Sequence, residues 1–172
     1  QIKKIFESKK LGKLQLLTYH SGENLEDWHP WEQVQDYYVG HIKTGGGRDQ
    51  AVFEIEWIIW LFGKPIEISA KTLKISNTKA KIFDTYQMNL KLLGVPMANV
   101  LVDVIQRPPN RILRLVFENG MISWDWIDGK VRVYYTKTKK WDELLHGEGY
   151  KGFNVEEMYQ EEIKYVIKSI KD

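Results

Sequence analysis

Residues 111–135 decide the fold of this chain, and they read RILRLVFENGMISWDWIDGKVRVYY. An Asn-Gly pair at 119–120 separates two apolar runs, 112–118 and 121–126. Asn-Gly between such runs is a strong signal for a two-residue hairpin turn. Asp128-Gly129 joins the second run to 131–135 in the same way. The stretch therefore predicts an antiparallel meander of several strands.

The rest of the chain adds strands and helices to this meander. Apolar patterning predicts further strands at 13–20, 66–70, 82–92 and 100–105. It also predicts an amphipathic helix over 2–9 and a buried helix over 48–62, which ends before Gly63-Lys64-Pro65. The segment 139–152 is expected to be a loop.

A last helix is predicted at the end of the chain. Asn154 is its expected N-cap and, with Glu157 three residues on, gives a capping-box pattern. Its apolar face would consist of Tyr159, Ile163, Val166 and Ile170. Together these elements predict one α+β domain over 1–172, with a large, mostly antiparallel β-sheet and helices packed on one face.

Composition excludes several classes of protein. The 172 residues carry a net charge of +2, which is too small to suggest a nucleic acid partner. The absence of cysteine excludes a disulfide framework and a thiolate metal site and fits a cytoplasmic protein. No apolar run approaches the roughly 20 residues of a membrane span. The four histidines stand apart from one another, so no metal site is expected.

The helix at 48–62 carries the clearest candidates for chemistry. Asp49, Phe53, Glu56 and Trp60 are spaced i, i+4, i+7 and i+11, so they share one helix face. Carboxylates on a mostly apolar helix need partners, because an unpaired buried charge is costly. Two explanations stay open. Asp49 could favour the helix N-terminal dipole while Glu56 pairs with a cation, or the pair could belong to an active site.

Two neighbouring segments also have two explanations each. Gly45-Gly46-Gly47 either lets a backbone approach a ligand closely or forms a flexible start of the helix. Its consecutive glycines do not match a dinucleotide-binding fingerprint, and no other segment supplies one. The loop Trp28-His29-Pro30-Trp31 either stacks on a sugar or covers the core.

Four segments, in order, resemble the second domain of Gfo/Idh/MocA oxidoreductases. Residues 9–40 (KKLGKLQLLTYHSGENLEDWHPWEQVQDYYVG) resemble the turn and first strand after the Rossmann domain. Residues 44–65 (TGGGRDQAVFEIEWIIWLFGKP) resemble the family's GGGxxxDxGxHxxDxxxWLxGxP helix. Residues 107–126 (RPPNRILRLVFENGMISWDW) and 153–170 (FNVEEMYQEEIKYVIKSI) resemble its sheet segment and closing helix. The WHPWE…YY loop is similar to that of members placed with bacterial surface-polysaccharide sugar biosynthesis.

The resemblance implies that this chain is a substrate-side domain without its nucleotide-binding half. In the intact parent that half would hold NAD or NADP and carry a lysine, usually in an EKP motif. No cofactor is therefore expected to bind to this chain itself. The start at Gln1 rather than at methionine agrees with an excised domain.

The resemblance also implies roles for single residues. Asp49 falls on the family's first helix aspartate and becomes the expected catalytic residue. The residues expected to bind substrate are Trp28, His29, Trp31, Arg48 and Glu56. Phe53 falls on the usual catalytic histidine, and a phenylalanine cannot relay a proton. Three explanations stay open: a mechanism led by the missing lysine, base duty from His29 or a tyrosine such as Tyr37, or loss of catalysis.

Two functions follow as hypotheses. In the first, the intact parent transfers hydride between NAD(P) and a hydroxyl carbon of a sugar or nucleotide-sugar. In the second, the chain is a non-catalytic carbohydrate-binding or dimerisation module derived from that family. Large apolar residues occur on both parities of 112–117, which predicts self-association through the uncovered sheet face as a dimer or tetramer.

Overall fold

The computed structural model describes residues 1–145 and 155–171. The helices are α1 (Ile2–Glu7), α2 (Gly47–Phe62) and α3 (Val155–Lys171). The strands are β1 (Leu14–Asn24), β2 (Pro65–Leu73), β3 (Thr85–Leu92), β4 (Val95–Asp103), β5 (Ile105–Phe117), β6 (Gly120–Asp125), β7 (Lys130–Tyr135) and β8 (Lys140–Leu145). The predicted fold class is confirmed, because the eight strands form one mostly antiparallel sheet accompanied by helices.

The strand order is β2-β3-β4-β1-β5-β6-β7-β8. All neighbouring strands are antiparallel except β1 and β4, which run parallel. The predicted meander is present as β5, β6 and β7. The placement of β1 between β4 and β5 was not predicted, because pairing between strands far apart in sequence leaves no local signal.

The β5–β6 turn lies one residue earlier than the Asn-Gly pair suggests. Phe117 pairs with Gly120, so Glu118 and Asn119 form the turn and Gly120 already belongs to β6. A Cβ at position 120 would collide with the carbonyl oxygen of Tyr134 on β7. Glycine is therefore required here by the close approach of the next strand.

The predicted loop at 139–152 is wrong in its first part. Lys140–Leu145 forms the edge strand β8 and pairs with β7, with Tyr134 opposite Trp141. Those two rings are 5.3 Å apart, a contact that stabilises neighbouring strands. The remainder of that segment, and the predicted cap at Asn154, lie outside the described residues.

Helices cover one face of the sheet, and the described helices leave the other face uncovered. On one, which we call the helix face, α2 packs over β3 and β4 and α1 adds Ile2, Ile5 and Phe6. The side chains that this layer buries include Leu17, Tyr19, Val100, Leu113, Leu115, Ile122 and Val133. The opposite side, which we call the open face, carries the alternate residues of the same strands. It mixes apolar and polar side chains, among them Leu16, Thr18, His20, Asn99, Ile112, Arg114, Val116, Met121 and Ser123.

Helix α3 lies outside this layer. The predicted apolar stripe is present in sequence, but Tyr159, Ile163, Val166 and Ile170 are all exposed. The described part of the helix layer is therefore made by α1 and α2.

The side chains buried on the helix face should provide most of the stability of the sheet. Substitution of Leu115, at the centre of this face, tests this expectation. Leu115 is fully buried. Leu115→Ala should lower the free energy of unfolding by about 2–5 kcal/mol, because a buried side chain is lost and a cavity remains. Urea unfolding followed by circular dichroism measures the change.

The matched control is Leu93→Ala. Leu93 is 71% exposed, and its substitution should change the same free energy by about 0.5 kcal/mol or less. Similar losses of unfolding free energy in the two variants would contradict the assignment of Leu115 to the core and of Leu93 to the surface.

Candidate functional site

The inner stripe of α2 consists of Gly47, Ala51, Glu54, Ile58 and Phe62, all buried. One of them is charged. Glu54 was not a candidate from the sequence, although the spacing of Ala51, Ile58 and Phe62 places it on their face. Its burial makes it the most constrained polar side chain of the helix.

The Glu54 carboxylate accepts four hydrogen bonds. Tyr19 Oη donates at 2.6 Å and Ser21 Oγ at 2.9 Å, both from β1. Trp57 Nε1 donates at 2.9 Å from the next turn of α2, and Arg111 Nε at 3.0 Å from β5. A buried carboxylate needs such donors, because its lost hydration must be replaced. Glu54 therefore ties α2 to two central strands.

These contacts shift the ionisation of the cluster. Burial alone raises the pKa of Glu54, but hydrogen bonds from Tyr19 and Trp57 and the charge of Arg111 outweigh it, so this pKa lies below its ordinary value. Burial and the adjacent Glu54 charge raise the pKa of Tyr19 far above its usual range. The cluster is an ionised Glu54 held by neutral Tyr19 and cationic Arg111.

A second carboxylate, Glu23, is less well satisfied. Its Oε2 accepts from Trp28 Nε1 at 3.0 Å, whereas its buried Oε1 has no hydrogen-bond partner among the described residues. Arg111 Nη2 lies 3.8 Å from that oxygen, beyond hydrogen-bond distance. Burial raises the pKa of Glu23, and the charge of Arg111 opposes this only in part.

The loop between β1 and α2 forms a row of aromatic rings that reaches Asp49. The His29 ring stacks on Trp31 at 5.1 Å and on Tyr37 at 4.5 Å. Tyr37 packs edge-on against Tyr38, whose hydroxyl lies 3.5 Å from Asp49 Oδ2. We call these five residues the aromatic row. It brings together four residues that the sequence singled out: His29, Trp31, Tyr37 and Asp49.

The other predicted site residues, Trp28, Arg48 and Glu56, are not part of this row. Trp28 is half-buried and packs against a small core of Leu25, Val34, Val39, Ala80, Ile82 and Val104. Arg48 is exposed and donates to the carbonyl oxygen of Lys43 at 2.9 Å. Glu56 is exposed on the outer stripe of α2, where Phe53 and Trp60 are 61% and 66% exposed.

His29 has a carboxylate partner. Its Nδ1 lies 3.0 Å from Glu32 Oε2. When Nδ1 carries the proton and donates it to Glu32, Nε2 is left as an acceptor. By contrast, Tyr37 donates to the Leu25 carbonyl oxygen at 3.3 Å, and burial together with Glu32 raises its pKa.

The glycine segment is filled by the chain itself. A Cβ at Gly45 would collide with the Val39 backbone, and one at Gly47 would meet the Tyr86 ring at 2.8 Å. Gly46 has a φ of 66° and lies against Ile82 and Phe83. The glycines thus allow α2 to begin against neighbouring segments and leave no cradle for a pyrophosphate. This segment therefore does not supply the glycine turn that holds a dinucleotide.

The described residues contain no group of three or more His, Asp or Glu side chains placed to hold a metal ion. None of the described helices has the length and apolar character to cross a membrane.

A family model described as the GFO/IDH/MocA C-terminal domain matches residues 1–123. A search of curated proteins finds no match. Among solved structures, an oxidoreductase from Thermotoga maritima has a TM-score of 0.68 at 19% identity, over 94% of this chain and 48% of its own.

Two other structures share the fold. Levoglucosan dehydrogenase in complex with NADH and levoglucosan has a TM-score of 0.69 at 12% identity, over 88% of this chain and 46% of its own. UDP-N-acetylglucosamine 3-dehydrogenase from Acidithiobacillus ferrooxidans has a TM-score of 0.57 at 14% identity, over 84% and 42%. This chain thus spans less than half the length of each of the three structures.

The buried Glu54 network predicts a pH-dependent stability. Glu54→Gln should lower the free energy of unfolding at neutral pH by about 3–5 kcal/mol, because Arg111 loses the carboxylate to which it is hydrogen-bonded. Because the folded pKa of Glu54 is lowered, its stabilisation is present above the unfolded value of about 4.3 and is lost as pH falls through the folded pKa. The gap between wild type and variant should therefore narrow below about pH 4.3.

Urea unfolding at several pH values tests this, with Glu56→Gln as the control. Glu56 lies on the same helix but is exposed, so its substitution should cost about 0.5 kcal/mol or less at every pH. A Glu54→Gln variant with a pH-independent deficit would contradict the network as described.

Proposed function

We propose that this chain, which belongs to the GFO/IDH/MocA C-terminal domain family, is the substrate-side domain of an NAD(P)-dependent sugar oxidoreductase. The nucleotide-binding half would belong to the intact parent and would hold NAD or NADP. The reaction would be hydride transfer between that cofactor and a hydroxyl carbon of a sugar or nucleotide-sugar. By itself the chain would not be active.

The observation that carries the proposal is the aromatic row ending at Asp49. Aromatic faces suit the apolar face of a pyranose, and Trp31 at one end of the row is 78% exposed. At the other end, Asp49 Oδ2 lies 3.5 Å from the Tyr38 hydroxyl. A sugar lying along this row would have its hydroxyls near a carboxylate that can orient or deprotonate them.

The missing histidine needs a substitute in this proposal. Phe53 at that position cannot accept a proton. His29 lies in the same row, and its contact with Glu32 leaves Nε2 able to act as a base. Tyr37 is less suited, because its raised pKa disfavours the phenolate. We therefore assign base duty to His29, with Asp49 as the orienting carboxylate and Trp31, Trp28, Arg48 and Glu56 as substrate contacts.

Two of the comparison structures support a sugar substrate class by analogy. They are named for enzymes of levoglucosan and of UDP-N-acetylglucosamine. Both are far below 25% identical to this chain, so they support the fold directly and the substrate only as a suggestion. The WHPWE…YY loop favours a role in bacterial surface-polysaccharide sugar biosynthesis, and the cysteine-free composition favours the cytoplasm as its location.

A second candidate function is a non-catalytic binding or dimerisation module. Phe53 at the usual histidine position favours it, as does the broad sheet surface that the described helices leave uncovered. Enzymatic assay of the longer chain separates the two candidates.

Asp49→Asn tests the catalytic assignment in a chain joined to its nucleotide-binding half. We expect kcat for sugar oxidation to fall about 10²-fold, because the carboxylate that orients the substrate hydroxyl is lost. Cofactor affinity should stay unchanged, since Asp49 belongs to the substrate side. Steady-state kinetics with NAD and NADP over a panel of sugars and nucleotide-sugars measures both.

Asp142→Asn, an exposed change on the edge strand β8, is the control and should keep wild-type kcat. Equal kcat in the wild type and Asp49→Asn would overturn the role of Asp49. A wild-type parent that turns over none of these substrates would favour the non-catalytic module.

The open face is the proposed surface for self-association. Val116 and Met121 are opposite each other on β5 and β6 and both are half-buried on this face. Val116→Glu should release monomers without unfolding the chain, since a charge would be buried between two sheets. Sedimentation equilibrium at tens of micromolar protein measures the change.

Ile68→Glu is the matched control. Ile68 is 65% exposed on the edge strand β2 and faces the same side as the buried Leu90, away from the open face. Its association state should equal that of wild type. A wild type that sediments only as a monomer would contradict the proposed surface.

A further inference from the structure

A cleft of about 530 Å³ opens on the helix face between α1, α2 and the strands β1 and β5–β7. It lies apart from the aromatic row. Its walls include three indoles, Trp57 and Trp60 from α2 and Trp124 from β6. Its floor is formed by Tyr19, Leu113 and Val131. Clefts of this size with mostly apolar walls and a few polar groups are the usual form of small-molecule sites.

The polar groups at the base are already engaged with one another. Tyr19 Oη and Trp57 Nε1 both donate to Glu54. A sugar bound here would bury its several hydroxyls mainly against apolar walls, with few free donors and acceptors to satisfy them, which is costly. A flat aromatic ring would instead cover the indoles with its two faces and present few polar atoms at its edge.

Two cations, Arg111 and Lys3, determine which polar groups a ligand ring should carry at its edge. Arg111 uses Nε toward Glu54 and stacks on Trp126 at 4.7 Å, while its Nη2 lies 3.8 Å from Glu23. Its terminal N–H groups can therefore donate to a ligand. At the rim, Lys3 Nζ lies 3.9 Å from the centre of the Trp60 ring. The preferred ligand carries a hydrogen-bond acceptor on the ring and a negative charge outside it.

We propose that this cleft binds a planar heteroaromatic ring attached to an anionic group, the chemistry of a nucleotide. This role of the cleft rests on the proposed function. The cleft would hold the base of a nucleotide-sugar, and the sugar would extend out of the cleft. The ring would stack between the indoles, with its carbonyl oxygen accepting from Arg111 and its phosphate near Lys3.

The test is a titration of the 172-residue chain with uridine monophosphate, adenosine monophosphate and a methyl pyranoside, followed by the indole N–H resonances in NMR. We expect saturable millimolar binding of at least one nucleotide, with the resonances of Trp57, Trp60 and Trp124 shifting. Trp141, on the open face, is the internal control and should not shift. Lys3→Glu should weaken a nucleotide about tenfold more than the matching nucleoside, because only the nucleotide carries the charge.

Trp124→Ala should weaken nucleotide binding by about tenfold, the scale of one lost stacking contact. Trp141→Ala is its matched control. If Trp124→Ala fails to fold, the resonance shifts of the wild type and the Lys3→Glu titration still decide whether the cleft binds a nucleotide. The proposal is overturned by an absence of shifts at about 10 mM nucleotide, by shifts confined to other tryptophans, or by tighter binding of the pyranoside. These outcomes leave the kcat test of Asp49 untouched, so the two proposals can fail separately.

Discussion

The arrangement of this domain depends on one buried carboxylate. Glu54 must keep its charge inside the core, and it does so only because Tyr19, Ser21, Trp57 and Arg111 converge on it. Those donors come from β1, α2 and β5, so the requirement fixes the helix in its position on the sheet. A hydrophobic residue at this position could slide along the strands, whereas a carboxylate with directed hydrogen bonds cannot.

This anchoring gives α2 two different faces. The inner stripe is buried in the core, and the outer stripe of Asp49, Phe53, Glu56 and Trp60 faces outward. Large exposed aromatic side chains on a fixed helix are a cost to a free domain.

Sequence reasoning succeeded where the signal was local and failed where it was not. The hairpins of β5–β7, the bounds of α2 and the fold class all follow from period and turn chemistry. The position of β1 does not, because its partners Val100 and Leu113 lie far along the chain. For the candidate site, the loop at 28–31 was selected by residue type and Asp49 by helix spacing and the family resemblance. Tyr38, which links them, was not selected, because its contacts with Tyr37 and Asp49 exist only in the folded chain. The spacing of Ala51, Ile58 and Phe62 could have pointed to Glu54.

The central position of β1 has a consequence for how the chain reaches its native state. Within β2–β4 and β5–β8, strands that follow one another in the chain also pair in the sheet, most of them across connections of two to four residues, so they can pair as they emerge. β1 is made first but pairs with β4 and β5, which are neighbours in sequence and not in the sheet. It therefore has to close two long loops, and such non-local steps are slow. Until it inserts, β4 and β5 both expose unpaired edges, so intermediates that lack this strand would be open to aggregation.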